Sequence, residues 1–202
     1  MEKILYIDSC IRPDPASRSA TLGRAFLDEY CALHSDAAIE RVVLRNLDLR
    51  PYGIDEVTAR VEHIVRKEFD VPMFALARQF ANADKIVISA PFWDCSFPSM
   101  LKIYFEHICV QDVTFGYDAT GQIGLCRASA IAYITTSGGR YDFASGRNVM
   151  EMATPSIRAM AAMYGIPRCQ FTVAEGLDIE GNDPVRIMEE ALATARNHAG
   201  EF

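Results

Sequence analysis

The first segment whose residue types could do chemistry lies near the amino terminus and leads into a predicted helix. It carries a thiol, two guanidinium groups and two hydroxyls, from Cys10, Arg12, Ser17, Arg18 and Ser19. Such groups, together with the free N–H groups of a helix start, bind anions. Neither G-x-x-x-x-G-K-[ST] nor G-x-G-x-x-G is present, so a monophosphate fits better than ATP or a dinucleotide. A helix cap with solvated arginines explains this segment alone equally well.

A second segment carries aromatic side chains between two prolines. It reads Pro91, Phe92, Trp93, Asp94, Cys95, Ser96, Phe97, Pro98, and it holds the only tryptophan of the chain. Aromatic rings outside a core indicate stacking against a planar ligand. The alternative is that these rings pack against the neighbouring helix or a partner subunit, and for Phe97 this alternative is favoured.

A third segment, Thr136-Ser137-Gly138-Gly139, follows a buried apolar run. Glycine has no side chain to collide with a ligand, so backbone can approach a ligand closely there. A plain turn is the competing interpretation.

The elements that must position these loops alternate between strands and helices. Buried or alternating apolar runs predict five strands, at 3–8, 39–44, 85–90, 128–135 and 169–174. Periodic apolar residues predict helices at 19–33, 56–67, 72–82, 99–109, 149–164 and 184–198. This alternation predicts an α/β three-layer sandwich with a parallel sheet of strand order 2-1-3-4-5. The three loops then meet at the carboxyl ends of the strands, where such sheets bind ligands.

Residues 113–126 depart from the alternating scheme. Short strands at 113–117 and 123–126 predict a hairpin, and the excursion could roof a site. Phe115 and Tyr117 on this hairpin are candidate acceptor-binding residues, and plain packing is the alternative.

Composition excludes several classes of function. The 202 residues carry a formal net charge of -7 without a basic cluster, which argues against nucleic acid. The six cysteines form no C-x-x-C pair, which argues against a metal site. The amino-terminal apolar run is too short for a signal peptide or a membrane span, so we expect one cytoplasmic domain over 1–202.

The whole pattern resembles one enzyme family. The segment A-P-x-x-x-x-x-x-P-x-x-L-K-x-Y-F, formed by Ala90, Pro91, Pro98, Leu101, Lys102, Tyr104 and Phe105, resembles the FMN-dependent NADH-azoreductases and NAD(P)H-quinone oxidoreductases. The resemblance extends over nearly the whole chain and implies a flavodoxin-like fold. It also implies tightly bound FMN, hydride transfer from NADH or NADPH to quinone or azo acceptors by a ping-pong mechanism, and a homodimer.

The resemblance assigns roles to the loop residues. Cys10, Arg12, Ser17, Arg18 and Ser19 would hold the FMN phosphate, although relatives often have Ser at the position of Cys10. The isoalloxazine would lie against Pro91, Phe92, Trp93, Asp94 and Cys95 and against Thr136, Ser137, Gly138 and Gly139. No catalytic side chain is implied, because the flavin carries the chemistry.

Two alternatives remain open from the sequence. A flavodoxin-type one-electron carrier or a flavin-binding regulator would share the fold. A chain that has lost FMN and binds another phosphorylated ligand would also fit.

Overall fold

The central sheet has five parallel strands in the order β2-β1-β3-β6-β7, in a computed structural model that describes residues 1–202. The strands are β1 (Lys3–Asp8), β2 (Ala38–Val43), β3 (Lys85–Ser89), β6 (Ala130–Thr136) and β7 (Arg168–Ala174). The predicted order 2-1-3-4-5 is confirmed, because β6 and β7 are the fourth and fifth strands of the sheet.

Helices cover both faces of this sheet. They are α1 (Arg18–Leu33), α2 (Ile54–Val65), α3 (Ala75–Ala81), α4 (Ser99–Ile108), α5 (Ala153–Tyr164) and α6 (Pro184–Glu201), with short 3₁₀ turns at Leu44–Asn46 and Pro72–Phe74. The helix predicted over 72–82 is shorter in the structure. Residues 72–74 form the 3₁₀ turn and only the remainder continues as α3.

Alternation of side chains along the strands separates two cores. On β1, Leu5 and Ile7 belong to the core under α3, α4 and α5, whereas Ile4 and Tyr6 belong to the core under α1 and α6. Successive residues of a strand point to opposite faces, so a sheet buried on both faces needs continuous apolar runs. This is why KILYI and KIVIS fold as interior strands.

Helix α5 begins at Ala153, four residues after the predicted start at Val149. The buried carboxylate of Glu151 accepts a hydrogen bond from the N–H of Thr154 at 2.8 Å, and the Thr154 hydroxyl donates to the same carboxylate. These bonds satisfy N–H groups of the first turn and fix where the helix starts. The helix ends at Gly165, whose φ of 77° lies in the left-handed region, as predicted.

The hairpin consists of β4 (Phe115–Asp118) and β5 (Gly121–Gly124), a narrower loop than predicted. Asp118 accepts hydrogen bonds from the N–H and hydroxyl of Thr120, which closes the turn early. The chain after β5 is bonded to the amino-terminal side of the sheet, through Cys126 N–H to Tyr164 O and Arg127 N–H to Ala81 O. The hairpin is therefore rooted at the edge opposite the carboxyl ends of the strands.

None of the helices combines the length and the apolar character needed to cross a membrane. No group of three or more His, Cys, Asp or Glu side chains is arranged to hold a metal ion.

The contact between Gly124 and Gly165 gives a test of the hairpin's position. A Cβ at Gly124 would lie 2.0 Å from the backbone nitrogen of Gly165, and backbone cannot move aside as a flexible side chain can. We expect Gly124→Ala to lower the free energy of unfolding by about 3 kcal/mol in urea denaturation. Gly200→Ala in α6 meets only Leu33 at an ordinary 3.6 Å and should change stability by less than about 1 kcal/mol. Equal effects of the two variants would contradict this placement.

Candidate functional site

A cleft of about 770 Å³ opens at the carboxyl edge of the sheet. Its volume lies within the range of about 300–1,000 Å³ that is usual for small-molecule sites. Most of the predicted site residues line it together: Arg12, Ser17, Arg18, Ser19, Pro91, Phe92, Trp93, Thr136, Ser137 and Gly138. The three loops therefore converge as the strand order requires.

The start of α1 forms one wall of the cleft. Ser17 caps the helix, and its hydroxyl accepts a hydrogen bond from the Ala20 N–H at 3.3 Å. The N–H groups of Arg18 and Ser19 have no partner within the chain. The positive end of the helix dipole and these free donors favour an anion at this point. The helix cap is confirmed for Ser17. The anion site at the same helix start stays a prediction.

The hydroxyl of Ser19 serves a different purpose from its N–H group. It lies 2.8 Å from the hydroxyl of Thr136 and both side chains are buried. The hydrogen bond joins the start of α1 to the end of β6, whereas the N–H of Ser19 stays free for a ligand.

A buried ion pair fixes the first loop from below. Arg45 donates from Nη1 to Asp8 Oδ2 at 2.6 Å and to the carbonyl of Cys10 at 3.0 Å. Asp8 Oδ1 in turn accepts the Cys10 N–H at 2.9 Å. Sequence reasoning missed Asp8 and Arg45, and the only available signal was a carboxylate at the end of an otherwise apolar strand.

Cys10 supports the loop from beneath the cleft and does not line it. Its side chain is 1% exposed and its thiol donates to the carbonyl of Ser89 at a sulfur–oxygen distance of 3.6 Å. Burial raises the pKa of the Cys10 thiol to about 12. With N–H, carbonyl and thiol all engaged within the chain, Cys10 is placed as a structural residue of the cradle.

The aromatic segment folds as a tight turn at the cleft rim. Trp93 and Ser96 exchange both backbone hydrogen bonds, at 3.0 and 2.7 Å, and Asp94 and Cys95 between them have φ values of 48° and 64°. Two left-handed residues in a two-residue loop define a type I′ turn, which is unusual without Asn or Gly. The N–H groups of Asp94 and Cys95 have no partner in the chain. Neither residue lines the cleft, and the groups they leave free beside Trp93 are these backbone donors.

The two aromatic side chains of this segment differ in environment. Phe92 is buried against the rings of Tyr141 and Phe143, with centroids 4.4 and 5.2 Å away. Trp93 is 48% exposed at the rim of the cleft. Trp93 is therefore the ring that is free to stack on a planar ligand.

The glycine pair is explained by packing within the chain. A Cβ at Gly138 would lie 2.4 Å from Asp178 Oδ2, and one at Gly139 would lie 3.1 Å from the ring of Tyr141. Asp178 N–H also donates to Gly138 O at 3.0 Å, and Gly176 N–H donates to Gly139 O at 2.9 Å. The loop after β7 thus packs against Gly138, which still lines the cleft. The ligand-binding role of the glycine pair stays a prediction.

Phe115 and Tyr117 do not border the cleft of their own chain. Their rings lie 6.0 Å apart on the hairpin, and Tyr117 is 64% exposed. The expectation that the hairpin roofs this cleft is not met within one copy of the chain, because the hairpin is rooted at the opposite edge of the sheet.

The donor set fits a ligand with an anionic end and a planar end. Arg12, Arg18 and the helix start lie together at the anion position, and Trp93 borders the same cleft. The free N–H groups of Asp94 and Cys95 follow Trp93 directly in the chain. FMN has a phosphate at one end and a planar ring system at the other, so these residues suit it.

Fold and cleft together define a flavodoxin-like α/β protein, and comparisons with known proteins agree. A family described as having the flavodoxin-like fold matches residues 2–199. FMN-dependent NADH:quinone oxidoreductase 2 of Clostridium acetobutylicum is 34% identical over 206 residues, with all of both chains covered. An enzyme of Clostridium beijerinckii named FMN-dependent NADH:quinone oxidoreductase is 32% identical, also over the whole of both chains.

Solved structures match over nearly the full length of the chain at lower sequence identity. An azoreductase from Bacillus anthracis superposes with a TM-score of 0.86 at 26% identity, covering all of both chains. An FMN-dependent NADH-azoreductase of the same species, in complex with FMN, gives a TM-score of 0.84 at 25% identity and covers 100% of this chain and 99% of that one. The chain belongs to the flavodoxin-like family that includes these oxidoreductases.

The positions of Cys10 and Cys95 predict different thiol reactivity. Cys95 is exposed, whereas the buried Cys10 thiol has a pKa of about 12 and stays protonated at pH 8. We expect iodoacetamide at pH 8 to label Cys95 at least about tenfold faster than Cys10, as measured by peptide mass spectrometry. In urea the two rates should become similar. Comparable rates in the folded protein would contradict the placement of Cys10.

Proposed function

We propose that this chain is an FMN-dependent NAD(P)H oxidoreductase that reduces quinone or azo acceptors in a ping-pong order. The observation that carries the proposal is the convergence of an anion cradle and a tryptophan-bearing turn on one cleft. The similarity to FMN-dependent NADH:quinone oxidoreductases over the whole chain supports it. When bound, FMN supplies the hydride chemistry that connects the nicotinamide donor to the acceptor.

The first loop would hold the phosphate of FMN. The N–H groups of Arg18 and Ser19 donate to phosphate oxygens, and the guanidinium groups of Arg12 and Arg18 balance the charge. Ser17 adds its hydroxyl at the same helix start. Cys10 keeps the loop in shape through the bonds to Asp8 and Arg45.

The second and third loops would hold the ring system. Trp93 stacks beside it, while the free N–H groups of Asp94 and Cys95 donate to its polar edge. Thr136, Ser137 and Gly138 border the opposite side of the cleft, with Gly139 just beyond. The chain thus contributes position and fixed donors, and no side chain needs to transfer a proton to complete hydride transfer.

An anaerobic reduction experiment tests the proposal. The FMN-loaded protein should lose the absorbance of oxidised flavin when NADH or NADPH is added, and menadione or an azo dye should restore it. Free FMN at the same concentration, without protein, is the control and should react far more slowly. Absence of bleaching with both nicotinamides would reject the enzyme and favour a one-electron carrier. A protein that takes up no FMN would reject both.

We also infer that two copies of the chain form a homodimer. Helix α2 carries an exposed apolar stripe at helical spacing, formed by Ile54, Val57, Val61 and Val65. Ile54 and Val65, at the two ends of the stripe, are 80% and 77% exposed. Contiguous apolar surface of this kind marks protein interfaces. The exposed hairpin of one copy, with Phe115 and Tyr117, would then be available to the acceptor side of the other copy's cleft.

We further propose a cytoplasmic location. All six cysteines are free and the donor is NADH or NADPH, which suits a cytoplasmic enzyme.

A charge on the stripe tests the dimer. Val61→Glu should shift the sedimentation coefficient from that of a dimer to that of a monomer at micromolar concentration, because an unpaired charge in an apolar interface costs several kcal/mol. Val185→Glu adds the same charge at the exposed start of α6 and should leave the dimer intact. A monomeric parent protein, or a Val61→Glu protein that stays dimeric, would contradict this interface.

A further inference from the structure

A carboxylate faces the anion cradle from the other side of the cleft. Asp178 Oδ1 accepts a hydrogen bond from Arg18 Nη1 at 2.9 Å, and both side chains line the cleft. The pair joins the first turn of α1 to the loop between β7 and α6, which are 160 residues apart in sequence. The Arg18 side chain is 46% exposed and the Asp178 side chain is 66% exposed.

The backbone of Asp178 is held firmly in this position. Its N–H donates to Gly138 O at 3.0 Å, and the neighbouring Leu177 N–H donates to Ser137 O at 3.2 Å. Leu177 is buried in the core under α1 and α6. The carboxylate of Asp178 lies against Gly138, because a Cβ at Gly138 would lie 2.4 Å from Asp178 Oδ2. Asp178 therefore belongs to the built cleft wall.

The charges lining the cleft are two guanidinium groups and one carboxylate, from Arg12, Arg18 and Asp178. A phosphate monoester carries about 1.5 to 2 negative charges at pH 7. Asp178 thus repels the phosphate and occupies one of the guanidinium donors that would bind it.

We propose that Asp178 competes with the FMN phosphate for Arg18 and thereby lowers the affinity of the chain for phosphorylated flavin. The inference rests on the proposed function, since it names a residue that sets the strength of FMN binding. On binding, Arg18 moves its hydrogen bond from Asp178 to the phosphate.

The opposite role, in which Asp178 orients Arg18 for the phosphate, has less support. Arg18 already stands in the first turn of α1, next to the capping Ser17, so its backbone position does not depend on Asp178. Loss of the ion pair would free only the end of the Arg18 side chain, and exposed ion pairs contribute little to holding side chains in one conformation.

Calorimetric titration with FMN and with riboflavin, which lacks the phosphate, tests the proposal. Asp178→Asn should lower the Kd for FMN by about threefold to tenfold and change the Kd for riboflavin by less than about twofold. Glu180→Gln removes a charge from an exposed side chain of the same loop that does not line the cleft, and should leave both constants within about twofold of the parent values. The gain in Asp178→Asn should shrink in about 1 M salt.

Any other result of these titrations counts against the proposal. Weaker binding of FMN alone in Asp178→Asn would overturn competition in favour of orientation of Arg18. Weaker binding of both flavins would show that Asp178 only maintains the loop. An equal gain in Glu180→Gln would assign the effect to general charge and reject the role of Arg18. If the parent protein binds neither flavin, the proposed function itself fails.

Discussion

Parallel strand pairing requires each connection to cross a face of the sheet, and this constraint brings three loops to one edge. The first loop, the Trp93 turn and the end of β6 lie far apart in sequence and still line one cleft. Two buried contacts adjust their positions. Asp8 and Arg45 hold the loop after β1, and Ser19 bonds to Thr136 across the cleft floor. Asp8 is buried and Arg45 is partly exposed, so removal of Arg45 would leave a buried carboxylate without its charged partner.

We propose that the cleft binds its ligand through backbone more than through side chains. Free N–H groups at the start of α1 and in the Trp93 turn would supply the donors, while the Ser19 hydroxyl and the Cys10 thiol are bonded within the chain. Anion binding at a helix start contributes about 0.3–1 kcal/mol when exposed and up to about 2 kcal/mol when partly buried. Cys10 agrees with this division, because its buried thiol is bonded to the carbonyl of Ser89 and does not face the cleft.

Strands and loop convergence were predictable because they depend on local pattern. Runs such as KIVIS have one stable environment, a strand covered on both faces. The start of α5 was misplaced because Glu151 caps it, and Glu is a weak cap signal. Asp8–Arg45 and Arg18–Asp178 were missed because their partners are 37 and 160 residues apart, and no periodicity links them. The sequence singled out Gly138, but it could not show that Asp178 packs against this glycine.

We infer that FMN lies in this cleft beside Trp93, and the fluorescence of that residue tests the inference directly. Trp93 is the only tryptophan of the chain, so its emission reports on the cleft without background. Addition of FMN should quench this emission with saturation at one FMN per chain. Binding of FMN, seen by its own absorbance after gel filtration, without quenching of Trp93 would contradict the account.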